Sequence, residues 1–140
     1  MLNLRRAIVY LWVLPTSCAG LIFIPFIRLS GGSYQIVDGV LELYGGIVDC
    51  ILRECTLLEG GATAMTLGHV VLGRDREALE GSRVHERVHV RQCERWGPLF
   101  LPAYGMASLI AILRGQRAYL DNSFEREAYT VSDPLCGDDE

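Results

Sequence analysis

One segment limits what this chain can become. The run "AIVYLWVLPTSCAGLIFIPFI", residues 7 to 27, carries no charged side chain over a length that can cross a bilayer. With 140 residues in all, the chain supports one modest domain, and a segment that leaves the core for lipid makes that domain smaller still. Arg5 and Arg6 precede the run and Arg28 follows it, so the basic excess favours a cytoplasmic N-terminus. A single-pass membrane protein follows, with the rest of the chain on the periplasmic or extracellular side. A cleavable signal peptide is the competing reading, because Ser17 and Ala19 are small residues at a possible cleavage point. The apolar run continues past them to Ile27, which favours an uncleaved anchor. A short hairpin bent at Pro15 is the third reading. Cys18 lacks a lipoprotein context, since Pro15 stands where an aliphatic residue is wanted.

Three segments are expected: residues 1–30 as anchor or signal-like segment, residues 31–132 as the domain, and residues 133–140 as an acidic tail. The fold class is α+β. In "SYQIVDGVLELYGG" two apolar-rich runs flank Asp38-Gly39, a dipeptide suited to a two-residue hairpin turn. Residues 47–55 place Ile47, Val48, Ile51, Leu52 and Cys55 on one helical stripe, and residues 62–73, "ATAMTLGHVVLG", read as a strand. Asp75 can cap a helix that continues to Trp96, where Gly97-Pro98 interrupts it. A second helix spans 99–113, and a third opens at Asp121 or Asn122 and runs through "SFEREAYTV".

Composition removes several functions. All thirteen basic residues are arginine, scattered without a run that could follow a phosphate backbone, and the net charge is −4, so nucleic acid is not an expected partner. The cysteines at 18, 50, 55, 93 and 136 form no C-x-x-C pair, which argues against a four-cysteine structural zinc site; free buried thiols are the expectation for most of them.

The chemistry concentrates in "SRVHERVHVRQ", residues 82 to 92. His85 and His89 lie just over one helical turn apart, so both rings project from one face and can bind one zinc ion at about 2.0 to 2.1 Å. Glu86 lies roughly a hundred degrees round the helix, beside the metal without competing for it. That placement suits a general base, because zinc lowers the pKa of bound water to about 7 and a neighbouring carboxylate can take its proton. A catalytic zinc needs a third protein ligand. Arg95 occupies the position where the metzincin pattern has a histidine, and Gln92 replaces its glycine, so the third ligand is sought in a later helix, where "NSFEREAY" offers Glu125 and Glu127.

"HERVH" followed by "FEREAY" resembles the zinc-dependent gluzincin peptidases, in particular the membrane-bound branch of CaaX prenyl-protein endopeptidases and their bacterial heat-shock relatives. The whole chain is also similar to a compact bacterial family with a zinc-motif helix and a "DNxFEREAY" ending. In the gluzincin branch a phenylalanine precedes the glutamate ligand and an alanine follows three residues later. Phe124 and Ala128 match, so the resemblance selects Glu125 as the ligand over Glu127. Where the branch has an aspartate that orients a zinc-bound histidine, this chain has Tyr129, and Glu127 or Asp121 is then the candidate substitute. The resemblance implies a zincin-like domain over 31–132, one catalytic Zn2+ and a peptide or protein substrate.

Because ligands of one metal must converge within a few Å, residues 99–113 cannot cross a bilayer between His89 and Glu125; they are expected to lie buried or on the membrane. His69 is a candidate for substrate or transition-state contact, with a locally satisfied structural histidine as the plainer reading. Tyr104, Tyr119 and Arg117 are candidates to reach an oxyanion, Tyr119 being preferred. Arg83, Arg87, Arg91 and Arg95 form a stripe read as a solvated face or as a contact with membrane lipid. The alternative to a peptidase is a non-catalytic, membrane-associated binding or assembly module that holds zinc for structure.

Overall fold

The structure, a computed structural model, describes residues 3–56 and 58–133. Of the acidic tail only Asp133 falls within that range, and Cys136 lies outside it. The fold is α+β, with an N-terminal apolar helix, a four-stranded mixed sheet and further helices that carry the chemistry-bearing residues.

The apolar segment forms α1 (Leu4–Leu21) and α2 (Phe23–Ser30), with Pro15 inside α1. No hairpin forms at Pro15. The proline lies on the exposed side of the helix, so the carbonyl that loses its N–H partner is not sealed in the core, and the helix continues through it. The opposite face holds Val13, Thr16, Ser17 and Gly20, the i, i+3, i+4, i+7 spacing of a buried stripe. Each has a partner elsewhere in the chain. Thr16 Oγ1 donates to the Gly97 carbonyl at 3.1 Å and the His69 backbone N–H donates to Ser17 Oγ at 3.0 Å. At Gly20 any added Cβ would fall 2.6 Å from Val70 Cβ, so a glycine is what lets α1 lie on the sheet.

β1 (Ser33–Val37) and β2 (Val40–Tyr44) pair as the expected hairpin. Asp38 and Gly39 both take positive φ, 51° and 78°, the requirement of a type I′ turn. The predicted single strand over 62–73 is instead a second hairpin, β3 (Ala64–Leu67) and β4 (Val70–Gly73). Gly68 supplies positive φ (69°) at the first turn position while His69 does not, which makes a two-residue turn of the II′ pattern. α3 (Gly46–Glu54) connects the hairpins, and β4 joins β2 in parallel, giving the order β1-β2-β4-β3.

Alternation along the strands divides the core. Leu43, Val70 and Leu72 face α2 and α3 and pack with Ile27, Val48 and Leu52; Val40 and Val71 face the opposite way and pack with Leu79 and Val90 of α4 (Arg76–Trp96). A third cluster, Val13, Cys93 and Phe100 with Tyr104 and Phe124 against it, joins α1 and α4 to α5 (Phe100–Leu113) and α6 (Ser123–Ser132). Of the described cysteines Cys93 alone is buried, and Cys18, Cys50 and Cys55 are exposed, contrary to the expectation of mostly buried thiols.

Two helical stretches are long and apolar enough to cross a membrane by length and composition, Leu4–Ser30 and Arg76–Leu113. In the second, the apolar part can only be the C-terminal half, because α4 is studded with arginine and glutamate. α5 itself buries just Phe100 and Ala111 and exposes Leu101, Met106, Leu109, Ile110 and Ile112.

Candidate metal centre

The sequence positions α4 by its ends. Asp75 accepts from the Ala78 backbone N–H at 2.7 Å as N-cap, and Gly97 closes the helix with φ of 56°. For α6 the N-cap is Asn122, whose Oδ1 accepts from the Phe124 N–H at 2.9 Å. Its Nδ2 donates to the Tyr104 carbonyl and to Ser108 Oγ, so the start of α6 is tied to α5. Asp121, the other cap candidate, pairs with Arg117 instead and stands apart from the histidines. α5 thus returns the chain so that α6 lies along α4.

Between α4 and α6 three side chains converge. His85 Nε2 lies 3.0 Å from Glu125 Oε2, His89 Nε2 lies 3.3 Å from Glu125 Oε1, and the two Nε2 atoms are 3.2 Å apart. Donor atoms that share a tetrahedral ion at about 2.05 Å stand about 3.3 Å from one another; the two nitrogens meet that spacing, each lies close to a different Glu125 oxygen, and one ligand atom from each residue falls within 4.8 Å of the others. Two nitrogens and a carboxylate oxygen are also the donor set that such an ion takes. His85, His89 and Glu125 can therefore hold a metal ion. Glu125 is 2% exposed and His89 5%, so the group sits inside the protein.

Glu86 lies beside this triangle, 6% exposed, and the Thr66 hydroxyl of β3 donates to its Oε2 at 2.6 Å. Burial pushes the Glu86 carboxyl up from its ordinary value; His89, the Thr66 hydroxyl and His85 oppose this without reversing it. The Glu125 carboxyl goes the other way. Burial would raise it, but the hydrogen bonds from His85 and His89, the His89 charge and the Tyr104 hydroxyl hold it down at about 2. Burial acts to lower the His89 imidazole, and the hydrogen bond and charge of Glu125, the Glu86 charge and the Gln92 amide together raise it. Two carboxylates in one site are thus driven apart, one toward holding a proton and one toward permanent ionisation.

The surrounding residues fall into different places. Tyr104 donates to Glu125 Oε1 at 2.6 Å. Tyr129 lies against the His85 ring, centroids 4.6 Å apart, and burial first, then the nearby Glu125 charge, raise the Tyr119 hydroxyl above its ordinary value. Glu127 does not touch a histidine but accepts from Gln92 Nε2 at 2.9 Å. His69 is held elsewhere: its ring stacks on Tyr10 at 4.3 Å and its Nε2 is 3.0 Å from Glu94, so its contacts are with α1 and the end of α4. Its Nδ1 is buried without a hydrogen-bond partner among the described residues. The arginine stripe divides, since Arg83 and Arg87 turn inward to the buried Glu42 of β2 at 3.0 and 3.3 Å, while Arg91 and Arg95 are exposed.

Two contributors escaped the sequence reading. Gln92 bridges His89 and α6, and its signal was available as the i, i+3 spacing from His89. Thr66 reaches Glu86 across twenty residues of chain, for which no sequence signal exists. Comparison of the chain with known protein families, with curated proteins and with solved structures finds no match.

Proposed function

We propose that this chain is a membrane-anchored, zinc-dependent peptidase of the gluzincin type, with His85, His89 and Glu125 as zinc ligands and Glu86 as the general base. The observation that carries the reading is the convergence of His85, His89 and Glu125, with one ligand atom from each within 4.8 Å of the others, and a buried carboxylate at the adjacent helical position. Zinc held there by His85, His89 and Glu125 would supply Lewis-acid polarisation of the scissile carbonyl and acidify the attacking water. Glu86 would take the proton from the attacking water and deliver it to the leaving amine, the two transfers a carboxylate at that position can make. Thr66 fixes the Glu86 carboxylate from the sheet side, while Tyr104 orients Glu125 from α5. The substrate is a peptide or protein segment.

The uncharged run with Arg5 and Arg6 before it supports anchoring of the chain to the membrane, through the side of α1 and α2 that the domain leaves exposed. The contacts of Thr16, Ser17 and Gly20 with the domain support retention of this segment rather than its removal as a signal peptide. With α1 in the membrane surface, the same contacts would bring the domain against the bilayer, and the exposed apolar side chains of α5 support its contact with membrane lipid.

The burial of the same three ligands favours a second reading, a zinc-holding binding or assembly module without turnover. Glu86→Gln in the purified full-length protein separates the two. Hydrolysis of an unfolded protein substrate is expected to fall at least 100-fold while one zinc per chain is retained; a variant as active as wild type would remove Glu86 from the mechanism, and a zinc-loaded wild type that cleaves nothing would leave the binding module.

A further inference from the structure

Gln92, the bridge between His89 and α6, is 2% exposed and carries no charge. Its side-chain amide nevertheless has every polar group engaged. Nε2 donates to the Phe124 carbonyl at 3.0 Å and to Glu127 Oε2 at 2.9 Å, and Oε1 lies 2.8 Å from His89 Nδ1. The amide cannot be turned over. A carbonyl and a carboxylate only accept, so placing Oε1 against them would set three acceptors together and leave two N–H groups facing a ring nitrogen. With its orientation forced from α6, Gln92 offers His89 an acceptor, and Nδ1 must therefore carry the hydrogen.

We propose that Gln92 is a positioning residue of the metal centre: it keeps a hydrogen on His89 Nδ1, so that Nε2, which faces Glu125 in the metal-free protein, is the nitrogen left to meet a metal ion in the triangle formed with His85 and Glu125. This rests on the reading of that triangle as a zinc site. The two histidines differ in this respect. His85 Nδ1 faces the Ser132 hydroxyl at 3.4 Å, and a hydroxyl can give or take a hydrogen, so it selects no tautomer. Gln92 does a second thing with the same amide. Phe124 immediately precedes Glu125, so the bond to its carbonyl holds the backbone that carries the third ligand. One side chain on α4 thereby sets the ring orientation of one ligand and the backbone position of another, the kind of outer support that tunes metal affinity. Glu127 takes part by holding Gln92 in orientation rather than by touching the histidines.

The test uses the full chain in detergent micelles, with zinc affinity read by chelator competition and the His89 Nδ1–H resonance read by 15N-edited NMR of the zinc-loaded protein. Gln92→Met keeps the length and removes the amide. It is expected to weaken zinc binding by about 10- to 100-fold and to lose the protected His89 Nδ1–H to solvent exchange, with His85 unchanged. Gln92→Glu combined with Glu127→Gln restores an acceptor toward His89 but leaves the Phe124 carbonyl without its donor, and is expected to recover the protected Nδ1–H fully and zinc affinity in part. A Gln92→Met protein that binds zinc like wild type with Nδ1–H still protected overturns the proposal. Should Gln92→Met fail to fold, the double variant decides: folded but binding zinc as weakly as His85→Ala, it overturns the proposal as well. The zinc reading itself fails if wild type binds no more tightly than His85→Ala, an outcome distinct from the others.

Discussion

Glu125 and Glu127 are two residues apart, yet α6 points one into the triangle and the other at Gln92. Zinc content after Glu125→Ala is expected to drop below a tenth of wild type, whereas Glu127→Ala should retain the metal with weaker affinity; measured by metal analysis, unchanged zinc in Glu125→Ala would refute the ligand assignment. The ionisation of the site adds a pH dependence. Glu125 is held at about 2 against an ordinary 4.5, so its contribution to the metal-free protein is full above 4.5 and is lost as pH falls toward 2. His89 is raised above its ordinary 6.5, so its contribution is full below 6.5 and is lost as pH rises through the raised value; Glu86, also raised, acts in the same direction from its own ordinary 4.5. A zinc ion at this site would compete with protons for the His89 imidazole, and its binding would strengthen over the range in which the metal-free protein weakens. Thermal melts with chelator and with zinc should therefore diverge as pH is raised from 5 to 8, and a zinc-induced gain that is flat over this range would contradict the assignment.

At the scale of elements, α4 is the spine of the molecule. One face carries His85 and His89 toward Glu125 of α6, and another sends Arg83 and Arg87 to Glu42 on β2. Glu42 is 1% exposed, and burial alone would raise its carboxyl; the hydrogen bonds from Arg83 and Gln35 and the charges of both arginines bring it below its ordinary value. The arginines read from sequence as a solvated or lipid-facing stripe are thus in part the counter-charges of a buried carboxylate. Glu42→Ala leaves two partly buried guanidinium groups without it and should cost about 3 kcal/mol, read by denaturant unfolding. A loss below about 0.5 kcal/mol would mean that solvent already screens the pair.

For the whole molecule, the decisive relation is between the apolar segment and the domain. The exposed side of α1 and α2 shows Leu11 and Leu29 at 69% and 87%, and α5 adds Leu113 at 77%, a surface that water does not suit. The full chain is expected in the membrane fraction and resistant to alkaline carbonate extraction. Because α1 also covers Val70 and Gly97, the chain from residue 31 onward should not behave as a soluble domain. It is expected to aggregate or to melt well below the intact protein in detergent; a soluble, equally stable fragment would show that α1 is a detachable anchor.

Local chemistry was legible in the sequence wherever the relevant partners are close along the chain. The Asp38-Gly39 turn, the Asp75 cap, the helix through "HERVH" and its break at Gly97 all depend on backbone preferences and spacing within a few residues, and each is found where expected. The second hairpin was missed because Gly68 reads as one small residue in an apolar run until Ser17 packs against it. Which face of α1 is buried, that Arg83 and Arg87 turn to Glu42, that Thr66 meets Glu86, and that Gln92 is pinned from α6 are matters of tertiary structure. They join groups from separate elements, and no local periodicity encodes which element will arrive opposite a given side chain. The spacing of His85 and His89 determined that two rings share a helix face; only the return of α6 through α5 decided that a carboxylate would stand about 3 Å from both.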